Sequence, residues 1–480
     1  MTRIDTVRWA RWSIFLAGTL LVPASLHAGG FMVARFGGEH GNPMASNPTS
    51  IYYNPAGLAG IKGTDIYLEG LYALRSLSYD RPAGAIDRQG ASADYIAADS
   101  GKGQLTNLIV SPFLGVATDF GVDNLGVGIA FFTPFGGQAI FDKNDTYKNS
   151  SQFPGAYDGA QRWQDIEGTI RSSYISVGAA YKLPFGLSVG LSASAVLSVI
   201  NDIRAYNPDG SDDLTVSSTD GTTKEGRGWI DVSNVTLALG VGVLYSPPDL
   251  PELKIGLSYQ SQPGFGKNTL KGQIKLKLGA SPITVFPDGA VEQSLPDVIR
   301  LGVSYKATKE LELNLWGQFE RWSTFKSQCV VNAGAPYACA IDDRGQTQAS
   351  AIVISNIPRA WNNSVAVHGS GFYQLNDELE LGGGLSFTQS AVPDASLDAA
   401  LPDFNELAIN VAGTYALLDG KLKLTLGFTQ FIFLSRTLDP QPRTGGVRQA
   451  PYTSPTRQAD NSGTYKQSVS LLTAGVGYSF

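Results

Sequence analysis

Few side chains in this chain could carry out chemistry, and their spacing speaks against most of what they could do. Three histidines are present, His27, His40 and His368. A hydrolytic site needs a base within reach of a nucleophile and a third group to orient that base. His40 follows Glu39 in a glycine-rich stretch, where ordinary hydrogen bonding accounts for it. His368 stands in AWNNSVAVHGSGFY, sharing one face of a period-two pattern with Ser364, Ala366 and Ser370, and no base-nucleophile pair gathers around it. Catalysis is not expected. Cys329 and Cys339 bracket a short loop, CVVNAGAPYAC. An even cysteine count in an exported chain points to a disulfide, whereas a metal site would want a histidine nearby. The run from Asn207 to Asp213 is acidic but lacks the later glutamate and spacing of a calcium loop, so a solvated turn is the simpler expectation. No metal and no cofactor are expected.

What is left is apolar, and it collects in two places. The first is GGFMVARFGGEHGNPMASNPTSIYYNPAGLAGIKG, from Gly29 to Gly63. Glycine, proline and asparagine break it into turns, yet it carries Phe31, Met32, Phe36, Ile51, Tyr52, Tyr53 and Leu58, which are costly to leave in water. Such a segment needs a wall built by the rest of the chain. Ahead of it, Arg3, Arg8 and Arg11 precede an apolar core from Ile14 to Ala24 and a small-residue exit at Ala28, so residues 1–28 read as a secretory signal peptide. That core is too short to span a bilayer as a helix. The net charge of −6 leaves no basic footprint for nucleic acid.

From Thr64 onward the pattern alternates. Leu472, Ala474, Val476, Tyr478 and Phe480 share one face of the last segment, and Thr473, Gly475, Gly477 and Ser479 the other. Ile299, Leu301, Val303 and Tyr305 likewise oppose Arg300, Gly302 and Ser304. These are half-buried strands. Short connections (Gly121–Asn124, Leu183–Gly186, Pro247–Pro251, Ala307–Lys309, Gln374–Asp377, Leu417–Gly420) alternate with long polar ones (Asp80–Gln104, Phe141–Gly168, Ala205–Gly228, Leu278–Leu295, Ser323–Arg359, Ser390–Asp403, Thr437–Gln467). Short turns on one rim and long loops on the other are the mark of a transmembrane β-barrel, and counting segments gives about fourteen strands within its even-numbered rule. Tyr181, Tyr245, Tyr305, Tyr373, Tyr415 and Tyr478 each fall just before a short turn or the C-terminus, as an interfacial girdle would. The expected fold is all-β: a fourteen-stranded antiparallel barrel over residues 64–480, with the irregular apolar segment 29–63 ahead of its first strand.

The second apolar collection is Leu125–Tyr147, LGVGIAFFTPFGGQAIFDKNDTY. Its strand pattern is broken at Thr133-Pro134-Phe135-Gly136-Gly137, where proline removes a ladder donor and the glycines weaken the strand. A bulge is one outcome. In a closed wall the break would also leave backbone groups unpaired or facing a cavity. With the Gly-Gly-Phe start, the Asn54-Pro55-Ala56 motif, the strand count and this stretch, the chain resembles the FadL family of outer-membrane transport proteins for long-chain fatty acids and other hydrophobic compounds. The resemblance spans the mature chain. It implies a bacterial outer-membrane location, residues 29–63 folded as an N-terminal hatch inside the barrel lumen, a lateral opening where the third strand kinks inward, and a monomer.

On that resemblance, ligand binding and gating are expected at Phe31, Phe36, Tyr53, Asn54, Pro55 and Ala56 in the hatch. Phe131, Phe132, Pro134, Phe135, Gly136 and Gly137 are their expected counterparts at the kink, with Met32 a further option. The partners implied are a long-chain fatty acid or other hydrophobic small molecule, outer-membrane lipid, and the assembly machinery that recognises a terminal aromatic such as Phe480. Parity puts Arg300, Lys421 and Lys423 in the lumen, where pairing with Glu310, Glu312, Glu378 and Glu380 is the expected role. A general diffusion porin or an adhesin is the rival reading; a porin has no use for an apolar plug of this length ahead of its first strand, and an adhesin would put its specificity in the longest loops, Ser323–Arg359 and Thr437–Gln467.

Overall fold

Alternation along a strand puts every second residue on the same face, and a closed ring of such strands turns one face to lipid and the other to an enclosed bore. The computed structural model of this chain takes that form. It describes residues 31–480 apart from 89, 208–209, 215–223, 267, 280, 335–338, 340–352, 441–442, 445–446 and 449–457. The expected signal segment lies outside the described residues, as do Gly29 and Gly30.

Fourteen antiparallel wall strands follow one another in chain order. The first six are β1 (Thr64–Arg81), β2 (Gly101–Thr118), β3 (Leu125–Ile140), β4 (Glu167–Lys182), β5 (Leu187–Tyr206) and β6 (Gly226–Tyr245). The next four are each interrupted once. They are β7 (Leu253–Gln260, Asn268–Lys277), β8 (Thr284–Gln293, Val298–Lys306), β9 (Leu311–Glu320, Ser327–Asn332) and β10 (Val353–Pro358, Ser364–Gln374). The wall ends with β11 (Leu379–Thr388), β12 (Glu406–Leu417), β13 (Leu422–Phe433, Arg436–Leu438) and β14 (Gly463–Ser479). β14 pairs back onto β1 from Asp65↔Ser479 to Asp80↔Thr464, which closes the cylinder. Outward positions such as Leu191, Leu237, Leu301, Leu385 and Val476 are exposed, as lipid-facing residues must be.

One expected long loop is mostly wall. Leu278–Leu295 contains the strand Thr284–Gln293, paired antiparallel with Asn268–Lys277. Val330 and Val331 of β9 then pair with Val291 and Ala290, so this sector rises above the rest as a flap of sheet. Its alternation is interrupted by Pro287 and Gly289, which hid the strand from the pattern. Cys329 on this flap is buried and disulfide-bonded to Cys339, with Cα atoms 5.7 Å apart.

Residues 31–63 fold inside the bore. A single turn of helix, α1 (Ser50–Tyr53), leads through Asn54 into a 3₁₀ turn over Pro55–Gly60. Phe36, Ala56 and Leu58 have no accessible surface. The opposite end is covered by a cap that includes the helix α2 (Ala93–Asp99). Arg81 pairs with Asp99 at 2.9 Å and with Asp212; Arg162 pairs with Asp99 at 2.9 Å and Glu225 at 3.2 Å. Asp212 is therefore fully buried against a guanidinium and does not sit in the solvated turn expected of the Asn207–Asp213 run. Unpaired, charges this deep would cost several kcal/mol each, on the order of a buried ion's desolvation; paired, they bind three loops to one another.

Candidate functional site

The break in β3 has a definite geometry. Phe132 lies opposite Tyr174 of β4, and Phe135 lies opposite Ser172. That is three steps on β3 against two on β4, a bulge of one residue. Since facing alternates with every residue, the extra one flips the parity beyond it. Phe132 and Phe135 both point inward as a result, with Tyr174 at 5.5 and 6.5 Å between ring centroids. Phe131 stays on the outward register with the exposed Ile129.

On its other side β3 parts from β2. β2 pairs with β1 from end to end, yet its ladder with β3 covers only Leu114↔Phe131 to Thr118↔Val127. Among the described residues β2 is hydrogen-bonded to this side again through Asn107 Nδ2, which donates to the Gln138 carbonyl at 2.9 Å, and through Asp142 N–H, just past the end of β3, which donates to the Gln104 carbonyl at 2.8 Å. Between Asn107 and Leu114 lies a slit roughly 20 Å long at about 3.3 Å per strand residue. Pro112 stands on this stretch of β2, which pairs with β1 but has no ladder partner on its β3 side, the edge-like setting in which a strand proline is tolerated.

The first described residues of the hatch dock onto this broken edge. Val33 N–H donates to the Pro134 carbonyl at 2.8 Å, and Gly136 N–H donates to the Phe31 carbonyl at 3.0 Å, with Met32 bridged to Phe135. Phe31 sits among Trp322, Trp361, Phe135 and Phe325, at 5.1, 6.0, 6.3 and 6.4 Å. Phe36 packs on Tyr52, Phe113 and Phe132. The tryptophans were not singled out by sequence; they fall in polar, loop-like surroundings with no periodic signal.

Above this arm is a cavity of about 640 Å³, within the usual range for a small-molecule site. The arm from Phe31 to Arg35 floors it, and Leu71, Ile170, Ile200, Val330, Phe433 and Leu471 supply apolar wall. Its lining continues through the slit to Leu108, Val110, Phe131 and Arg171, which belong to the outward faces of β2, β3 and β4. The polar end carries Arg204 paired with Asp202 at 2.8 Å and Arg359 paired with Asp398 at 2.6 Å. Asp165, in the loop leading to β4, has one carboxylate oxygen without a hydrogen-bond partner, and burial beside Asp202 pushes its carboxyl well above the usual range.

The other expected hatch residues have a different place. Asn54 donates from Nδ2 to the carbonyls of Pro43 at 2.8 Å and Val243 at 2.9 Å, and its Oδ1 accepts from Ala56 N–H at 3.1 Å. Asn54, Pro55 and Ala56 thus fasten the hatch to β5 and β6 and do not line the cavity. Tyr53 lies beside Trp316 at 6.0 Å and its carbonyl accepts from Ser258 Oγ at 2.6 Å. Of the twelve expected positions, Phe31, Phe131, Gly136 and Gly137 line the cavity, together with Met32.

Arg300 does face the bore but makes no ion pair with the expected acids. Its Nε donates to Gln318 at 2.6 Å, and its guanidinium lies 4.3 Å from the Tyr52 ring centroid. Gln318 in turn donates to Glu320 at 2.7 Å, which also accepts from Trp322 Nε1 at 2.6 Å. Glu312 and Glu378 accept instead from Ser304 and Tyr415. His40 reaches Glu380 at 2.8 Å, while His368 lies flat on Trp316 at 3.8 Å, so neither stands beside a nucleophile.

Comparison with known proteins agrees with this architecture. The family model described as outer membrane protein transport protein (OMPP1/FadL/TodX) matches residues 19–480. The outer membrane protein NMB0088 of Neisseria meningitidis serogroup B is 22% identical over 432 residues, covering 84% of this chain and 86% of that protein. Among solved structures, a FadL homologue of Pseudomonas aeruginosa superposes with a TM-score of 0.71 at 15% identity, over 94% of this chain and all of that one (100%). The toluene transporter TbuX of Ralstonia pickettii gives 0.60 at 14% identity, over 95% and 99%. Barrel, hatch and family match together place this chain, as a transport protein of the bacterial outer membrane and not an enzyme, in the OMPP1/FadL/TodX family.

Proposed function

We propose that the protein is a passive conduit for a long-chain fatty acid or another hydrophobic small molecule. The passenger is held in the cavity above the hatch arm and leaves sideways, between β2 and β3, into the membrane. One observation carries this reading: the same cavity is lined by Trp316 and His368 in the bore and by Leu108 and Val110 on the lipid face. Each methylene gains about 0.8 kcal/mol on leaving water, so an apolar path ending in lipid suits such a passenger better than a wet pore. The hatch arm, bonded to the kink through Phe31 and Val33, is the element whose shift would couple cavity to slit. No energy source is needed, because the gradient of burial drives release.

The test straightens β3. Replacing Pro134, Gly136 and Gly137 together with Val or Thr should let the β2–β3 ladder extend, and uptake of labelled oleate should fall severalfold while membrane insertion persists. Undiminished uptake from a correctly inserted variant would reject the sideways exit.

A further inference from the structure

Two guanidiniums flank the slit, one on each side of the same stretch of β3. Arg171 of β4 is opposite Gly136, on the outward register with Ile175 and Val177. It is exposed, lines the outer end of the cavity, and makes no ion pair or hydrogen bond among the described residues. It also sits at the upper margin of the apolar band: its neighbour on β5 is Val199, two residues below Asn201, while Ile175, Val177 and Tyr181 continue the band beneath it. An unpaired cation facing lipid at this level is costly and calls for a counter-charge. On the inner side, Arg75 of β1 donates from Nη1 to the Gln138 carbonyl at 2.9 Å and from Nε to Gln467 Oε1 at 2.9 Å. Both acceptors are neutral, and no carboxylate lies within ion-pair distance among the described residues. Gly136 and Gln138 are two residues apart, so the two cations bracket the opening from lumen and lipid.

We infer that this conduit is built for a carboxylate-bearing amphiphile, whose head group passes from Arg75 inside to Arg171 outside as its tail enters the bilayer. Arg171 is then an exit cation that holds the carboxylate at the membrane interface until the tail is inserted, and it makes the protein favour fatty acids over neutral hydrocarbons of equal length. A guanidinium suits this role because its planar fork matches a carboxylate. The inference rests on the sideways exit proposed above.

The test compares labelled oleate with labelled oleyl alcohol, which share a tail and differ in head group. Delivery of each to the membrane is followed for the full-length protein, for Arg171→Gln and for Arg171→Lys. Arg171→Gln should slow oleate about tenfold, the loss expected for a charge-assisted hydrogen bond, and leave oleyl alcohol within about twofold on the same scale. Arg171→Lys, which keeps the charge but loses the fork, should restore part of the oleate rate. Equal slowing of both passengers would assign Arg171 to lipid head groups or to the wall, and no slowing of either would leave it idle; each result overturns the inference. The straightened β3 variant separates this failure from that of the exit itself. If it blocks both passengers while Arg171→Gln does not discriminate, only the role of Arg171 falls. If it blocks neither, the exit falls and this inference with it.

Discussion

Gly242 on β6 is glycine because the hatch leaves it no room: a Cβ there would stand 2.0 Å from Asn54 Oδ1. The same approach recurs at Gly190, where a Cβ would meet Ala56 N at 2.3 Å. The wall is therefore shaped to receive Asn54-Pro55-Ala56, the Asn54 side chain at Gly242 and the Pro55–Ala56 backbone at Gly190. Gly242→Ala should push the motif off the wall, costing about 1–3 kcal/mol as overpacking does, and should raise ion conductance through the loosened bore. Gly369→Ala is the control, since nothing lies within 4 Å of its added carbon; planar-bilayer recordings in which the two variants behave alike would refute the fit. At this scale the sequence was readable only in part. Asn54-Pro55-Ala56 stood out as a motif, but whether it bound ligand or wall depended on partners some 190 residues away. Arg300 was placed in the bore by parity alone, and parity says nothing of which neighbour it meets. Pro112 was overlooked although a proline inside a strand is itself a sign of a missing ladder partner.

Among the elements, β3 was the most legible, because proline and paired glycines oppose a ladder for reasons internal to the segment. The parity flip it causes was not: it depends on how many residues the bulge inserts, which is set by pairing with β4. The cap was misjudged for a related reason. Acidic loop residues look solvated until their partners are known, and Asp99 and Asp212 turn out to be buried under Arg81 and Arg162. Asp99 also accepts from Trp163 Nε1 at 2.7 Å, so it holds three side chains, two from one loop and one from β1. Asp99→Ala should cost the cap about 3–5 kcal/mol, the usual penalty for removing one member of a buried ion pair. Hydrogen exchange across α2 should accelerate accordingly while the wall strands keep their protection. Unchanged exchange in α2 would mean that apolar contacts such as Tyr95 with Phe153 hold the cap without the charges.

For the whole molecule, alternation and loop lengths were enough to state a closed barrel, because a membrane leaves a spanning sheet no other way to satisfy its backbone, while the hatch was legible only through the family resemblance. What they could not supply is the division of labour within the hatch. The arm at Phe31–Val33 bonds the kinked strand, whereas Pro43 to Leu58 is fixed against β3–β7. Removing the whole segment and removing the arm alone should then differ. Deleting residues 29–63 while keeping export should open the bore, raising conductance and abolishing selective oleate uptake. Deleting only 29–35 should leave the bore blocked by the fixed part, so conductance stays low, while uptake is impaired because the cavity loses its floor and β3 its partner. If the short deletion conducts as freely as the long one, the fixed part does not plug the bore, and the hatch must act as a single movable body.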